Sequence, residues 1–195
     1  MVVEGMRLFV AVDLPPRIKG IIGERLPEMA RRYPGIRWVK AENLHLTLKF
    51  LGEVEPGLAE RIPKALEKEC MQARPFTLRL SGCGAFPHEG RGRVFWVGLE
   101  GEVGKASDLV ERIDSCLTGL GFERETRPFL PHVTLGRMKR PVPCRELVEE
   151  WRRILEVEED MEFLASEVVL FRSILSREGP TYLPLFVFEL GSGEK

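Results

Sequence analysis

No stretch of the chain approaches the ~20 consecutive apolar residues that a membrane-spanning helix requires. The N-terminal MVVEGMRLFVAVD turns acidic where the apolar stretch of a secretory signal would continue. A cytoplasmic protein with no membrane partner is expected. An excess of charge is also missing: 29 basic residues face 30 acidic ones, for a formal net charge of -1. A protein that coats nucleic acid by bulk electrostatics needs local positive charge for each phosphate it neutralises, so that class is disfavoured, while small anionic substrates stay open. Cysteine is sparse and scattered, at Cys70, Cys83, Cys116 and Cys144, without a CxxC pair. That argues against a zinc ribbon or a dithiol centre and makes reduced thiols the default. Nothing in the composition calls for an obligate protein partner, and 195 residues suffice for one large domain or two small lobes.

Histidine occurs only three times, yet two of the three open nearly the same phrase: HLTLKFLG from His45 and HVTLGRM from His132. Side chains alternate along a strand, so His45 and Thr47 share one face while Leu44, Leu46 and Leu48 take the other; His132 and Thr134 oppose Val133 and Leu135 in the same way. A single H-x-T on an amphipathic strand is an ordinary wet face. Two copies in corresponding places point to chemistry. One imidazole can accept a proton from water while the other gives one to a departing alkoxide, since the side chain titrates near neutrality. Threonine hydroxyls can donate to the non-bridging oxygens of a phosphate ester, where charge builds during attack. Such a centre requires no metal or other cofactor; a zinc site would need further ligands, and His88, in a glycine-rich segment, is the only histidine left.

The chain reads as strand Met6 to Asp13, helix from Pro15-Pro16 to about Arg32, short strand Ile36 to Val39, strand His45 to Phe50 and helix Pro56 to Met71, weakened by Pro63. Strand Phe76 to Leu80, a long loop SGCGAFPHEGRGR and strand VFWVGLE come next. A second round has helix Val103 to Leu120, strand Pro131 to Arg137, helix Cys144 to Val157 and closing strands Leu164 to Leu175 and Leu183 to Leu190. Both halves thus contain an H-x-T strand, a helix and further strands, the pattern of a diverged duplication. A single bilobal domain over 1–195 is expected, its lobes contributed approximately by 1–90 and 91–195, with strands crossing between them.

With RLFVAVD, WVKAENLHLTLKFLG, GAFP, VFWVGL, RPFLPHVTLGR, VVLFRSIL and GPTYLPL in view, the chain resembles the two-histidine phosphoesterases. Within them it is similar to the bacterial and archaeal RNA 2',3'-cyclic phosphodiesterases, historically named 2'-5' RNA ligases. The resemblance implies an α+β, bilobal architecture of two antiparallel sheets flanked by helices around a central cleft, with pseudo-twofold internal duplication. It implies an RNA-processing hydrolase that opens a terminal 2',3'-cyclic phosphate to a 2'-phosphomonoester, with an RNA 3'-terminus or a small cyclic nucleotide as partner. His45 is then the proton donor and His132 the proton acceptor, with Thr47 and Thr134 on the phosphate. Alternatives are 2'-5' ligation, phosphodiester hydrolysis on another nucleotide or RNA end, and a non-catalytic RNA-end binding module.

Further candidates carry competing readings. Arg137 is a clamp on phosphate or a sheet-edge arginine, since parity sets it opposite His132 unless the strand bends. Lys49 lies on the His45 face by parity and adds charge to the groove, or is simply solvated. Phe86 and Phe129 are walls for a terminal base or core residues. Arg127 and the run RMKR hold the 5'-ward RNA backbone or form a solvated face. Gly136 leaves room in the groove beside Thr134, and Trp38, Trp96 and Trp151 are assigned to packing.

Overall fold

A computed structural model describes residues 5–177 and 179–191. The chain opens with β1 (Met6–Asp13), apolar and buried from Leu8 to Val12 because both faces are covered there. Leu8, Val10 and Val12 enter the main core, whereas Phe9 and Ala11 join a second small cluster with Val169 and Phe171. The helix α1 (Pro16–Arg32) begins at a proline, whose missing N–H costs nothing in a first turn, and buries Ile18, Ile22, Leu26 and Met29 at helical spacing.

After β2 (Ile36–Trp38), a 3-10 turn over Ala41–Asn43 leads into β3 (His45–Val54). The helix expected across 56–71 is two, α2 (Pro56–Ala59) and α3 (Ile62–Gln72). Pro63 sits in the first turn of α3, where it starts a helix more readily than it continues one.

The expected glycine-rich loop is mostly sheet. β4 (Phe76–Phe86) runs through it, a 3-10 turn occupies Glu89–Arg91, and β5 (Gly92–Gly101) starts at once. Its glycines serve a bulge and a close approach: Gly82 has a φ of 63° beside a register shift, and a Cβ on Gly84 would meet the Trp96 ring at 2.7 Å. Then come α4 (Val103–Thr118), β6 (His132–Val142), α5 (Arg145–Val157), β7 (Glu162–Ala165), β8 (Glu167–Ser176) and β9 (Gly179–Glu189). The single strand expected over 164–175 is divided at Ser166, because β7 and β8 belong to opposite ends of the sheet.

The strands form an antiparallel array in the order β7-β4-β5-β6-β3-β1-β8-β9, with β2 also paired to β6. Its two lobes, β7-β4-β5-β6 with β2 and β3-β1-β8-β9, meet through the β3–β6 pair Leu46/Val133, both fully buried. Each lobe takes strands from early and late in the chain. The helices lie outside: α3 against β8 and β9, α4 across β3 and β4, and α5 on β4. This is the α+β, duplicated architecture expected, with the two sheets hydrogen-bonded into one curled sheet. No helix among the described residues is long and apolar enough to cross a membrane.

Candidate active site

The two H-x-T strands meet at the Leu46/Val133 pair. Antiparallel pairing about that contact sets His45 beside Thr134 and Thr47 beside His132, so four polar residues from two strands stand on one face. Both imidazoles are held in the same manner. His45 Nδ1 lies 2.7 Å from the Asn43 carbonyl oxygen, and His132 Nδ1 lies 2.7 Å from that of Leu130. A carbonyl only accepts, so each Nδ1 carries a hydrogen and each Nε2 is left for the groove. Thr47 Oγ1 is 3.0 Å from His45 Nε2 and donates to it when the ring is neutral. Asn43 does more than hold a histidine: its side-chain nitrogen donates to the Pro180 carbonyl at 2.8 Å, tying β9 to the turn before β3.

The two histidines differ in surroundings. His45 is enclosed by Phe9 at 4.9 Å between ring centroids, Tyr182 at 5.3 Å and Phe171 at 6.4 Å. Burial holds its pKa below the ordinary 6.5; the Asn43 hydrogen bond and the Asp13 charge oppose the shift, and Lys19 and Arg137 add to it. Burial likewise pushes the Tyr182 phenol up, against the pull of Arg137 and Arg7. His132 packs against Phe86 at 5.1 Å and Trp96 at 6.3 Å. Trp96, assigned to packing from the sequence, therefore faces the groove beside Thr134, its cross-strand partner.

Beyond each H-x-T, a bulge sets which way the side chains face. Val10 pairs with Lys49 and Ala11 with Thr47, so Leu48 is an extra residue and parity inverts beyond it. Lys49 thus turns inward, away from the groove, and Phe50 takes the groove face, exposed and 6.0 Å from Phe9. The Lys49 ammonium forms a buried ion pair with Asp114 and donates to the Glu123 carbonyl at 2.8 Å, so its charge is already matched. In β6, Phe95 pairs with Gly136 and Trp96 with Thr134, leaving Leu135 extra. Arg137 consequently stands on the His132 face, exposed, while Gly136 and Met138 are buried. The missing Gly136 side chain makes room for β2 and not for substrate, since a Cβ there would lie 2.5 Å from Ile36 Cγ2.

The remaining candidates separate. Phe86 lines the groove against His132, whereas Phe129 is half-buried against the main core. Arg127 lies in the loop before β6 with both guanidinium arms on Glu125, at 3.1 Å each, and those bonds bring the Glu125 carboxyl down to about 2. Phe9, Phe50, Phe171 and Tyr182 were not legible as site residues, because aromatics in apolar strands look like core. Among the described residues, no group of three or more His, Cys, Asp or Glu side chains converges as a metal would need.

A family model described as LigT like Phosphoesterase matches the chain twice, over residues 15–96 and 97–182, in keeping with the duplication. An RNA 2',3'-cyclic phosphodiesterase of Archaeoglobus fulgidus is 39% identical over 94% of this chain and 100% of its own length. One from Thermus thermophilus is 35% identical over 95% of this chain and 90% of its own. The crystal structure of TT0787 of Thermus thermophilus superposes with a TM-score of 0.78 at 30% identity, covering 96% of this chain and all of that one. Escherichia coli LigT complexed with 3'-AMP superposes at 0.73 with 27% identity, covering 96% and 99%. With two copies of one motif facing each other and relatives matched nearly end to end, the chain belongs to the LigT-like two-histidine phosphoesterases, the family of RNA 2',3'-cyclic phosphodiesterases, and is an enzyme of that general type.

Proposed function

We propose that the protein acts in the cytoplasm to open the terminal 2',3'-cyclic phosphate of RNA to a 2'-phosphomonoester, by acid–base catalysis without a metal. The observation that carries this reading is the matched anchoring of the two imidazoles, each Nδ1–H on the carbonyl two residues upstream and each Nε2 toward the shared groove. A binding module would need donors, but not two groups able to exchange a proton. His132 Nε2 takes a proton from water as its oxygen attacks phosphorus; the P–O3' bond breaks, and His45 Nε2–H protonates O3'. Proton exchange with solvent then resets both rings. Thr47, Thr134 and Arg137 hold the non-bridging oxygens as charge accumulates on them.

Burial of His45 disfavours the protonated form that a donor requires. A bound phosphate diester supplies the compensating negative charge, so substrate itself raises the donor's pKa. The relatives named as RNA 2',3'-cyclic phosphodiesterases, and the E. coli relative complexed with 3'-AMP and with phosphate, support the same reading. The test is incubation with EDTA and an oligoribonucleotide ending in a 2',3'-cyclic phosphate, with the product mapped by mass and phosphatase sensitivity. A 2'-phosphate is expected. An intact cyclic end, or a 3'-phosphate, would overturn the reading.

A further inference from the structure

The edge of β6 changes partner at the mouth of the cleft. Near His132 its neighbour is β3, paired at Leu46/Val133; by Gly136 it is β2, with Trp38 opposite Gly136, Arg37 opposite Arg137 and Ile36 opposite Met138. Ile36 fills the space at Gly136, so β2 is wedged closely against β6. Two exposed arginines are thereby held directly across from each other on the groove face, a residue pair not evident in the sequence. Like charges directly opposite in a sheet repel. Among the described residues no carboxylate pairs with either guanidinium, although exposed arginines elsewhere, such as Arg17, Arg32 and Arg127, have carboxylate partners.

Beyond Arg137 on the same lobe, at the β4–β5 turn, lies an open depression of about 280 Å³ lined by Pro87, His88, Arg91, Arg93 and Pro141, with no acidic side chain in its lining. It begins one residue past Phe86, whose ring packs on His132. The opposite lobe presents Phe9, Phe171, Tyr182 and Phe50 instead, a wall suited to bases, with Arg7 as the arginine whose charge reaches Tyr182. Arg37, Arg137, Arg91 and Arg93 therefore give the β6 lobe the larger run of positive charge, outward from the catalytic face.

We propose that Arg37, together with Arg137, forms a second anion site that takes the phosphodiester on the 5' side of the terminal nucleotide, so that RNA leaves the centre over the β2–β6 edge. Arg137 is shared with the reacting phosphate, and Arg37 is the group specific to the upstream one. The site rests on the cyclic phosphodiesterase reading and narrows its substrate: the preferred one is a chain end with at least one internucleotide phosphate.

The experiment compares a nucleoside 2',3'-cyclic phosphate, a dinucleotide with the same cyclic end, and that dinucleotide carrying an uncharged methylphosphonate linkage. Wild type should prefer the charged dinucleotide by about tenfold or more in kcat/KM, mainly through KM. Arg37→Ala should collapse that preference, and Arg37→Lys should restore part of it. Equal losses on all three substrates, or a wild type indifferent to the methylphosphonate, would overturn the proposal. Binding of the corresponding 2'-phosphate dinucleotides by calorimetry reads the same site without turnover. Weaker binding of only the charged dinucleotide by Arg37→Ala supports it even if the cyclic end is never opened, an outcome that would count against the proposed reaction alone.

Discussion

Phe50 and Arg137 occupy equivalent places, each three residues after the threonine of its H-x-T and each brought onto the groove face by one extra leucine in the strand. The duplicated frame thus ends in an aromatic surface on one lobe and a cation on the other, and the two halves are not interchangeable.

That asymmetry assigns different losses to the two positions. Arg137→Ala removes charge-assisted hydrogen bonds worth about 1.5–3 kcal/mol each, so kcat/KM should fall about 10- to 150-fold, with Arg137→Lys partly active. Phe50→Ala should instead raise KM by about fivefold or more with kcat retained, as loss of a base-stacking surface does, while Phe50→Tyr restores binding. Steady-state kinetics on a dinucleotide substrate separates the two. A kcat loss without a KM change in Phe50→Ala would contradict the stacking role.

Removal of either Nε2 should stop proton transfer. His45→Ala and His132→Ala should each lower kcat by about 10² to 10⁴ with the fold intact by circular dichroism. Wild-type turnover in His45→Ala would exclude the histidine mechanism, and so would a rate flat from about pH 5 to 9, where paired acid and base action gives a bell.

The pKa of His45 should depend on ligand. Burial holds it below 6.5 in the free protein, and an anion near Nε2 favours the imidazolium, so NMR titration should show the pKa rising when inorganic phosphate binds. The sign for stability is the reverse of a salt-bridged histidine. A depressed folded pKa means the unfolded chain binds the proton first, so stability is lost as pH falls from 6.5 toward the folded value. His45→Gln should lose less stability across that window. Free His45 titrating above 6.5 would refute both statements.

Lys49 and Asp114 should couple strongly. Burial works against ionisation of Asp114, and the Lys49 hydrogen bond, the Glu125 N–H and the charges of Lys49 and Arg124 overcome it, leaving the carboxyl below 3.8. The stability this adds is present above the unfolded pKa and disappears as pH falls through the folded one. Lys49→Met alone strands a buried carboxylate and should cost about 3–5 kcal/mol, whereas Lys49→Met with Asp114→Leu should recover most of it. Additive losses in urea unfolding would show that the pair is not coupled.

Affinity should depend only gently on salt. A grip on one chain end with two or three phosphate contacts gives a log–log slope of about -1.4 to -2.1 for single-stranded RNA. A slope steeper than about -4 would mean a long backbone track.

The order of strands and helices was legible where apolar periodicity was strong: β1, α1, α4 and α5 lie close to where the sequence places them. Glycine misled between 81 and 93. Its clustering reads as a loop, yet those glycines let Trp96 and the neighbouring backbone approach β4, a reason visible only once β5 lies against it.

By itself the sequence determined the two H-x-T strands, their duplication and the family, because period-two alternation and residue chemistry are local properties of a single strand. Only the tertiary structure decided what stands beside the histidines. A bulge is a property of two paired strands, so nothing within HLTLKF or HVTLGR shows that Lys49 turns inward and Phe50 and Arg137 turn out. The partners of these residues, Asp114 for Lys49, Arg37 for Arg137, and Phe9, Phe171 and Tyr182 for His45, come from distant segments whose meeting is set by the order in which strands pair.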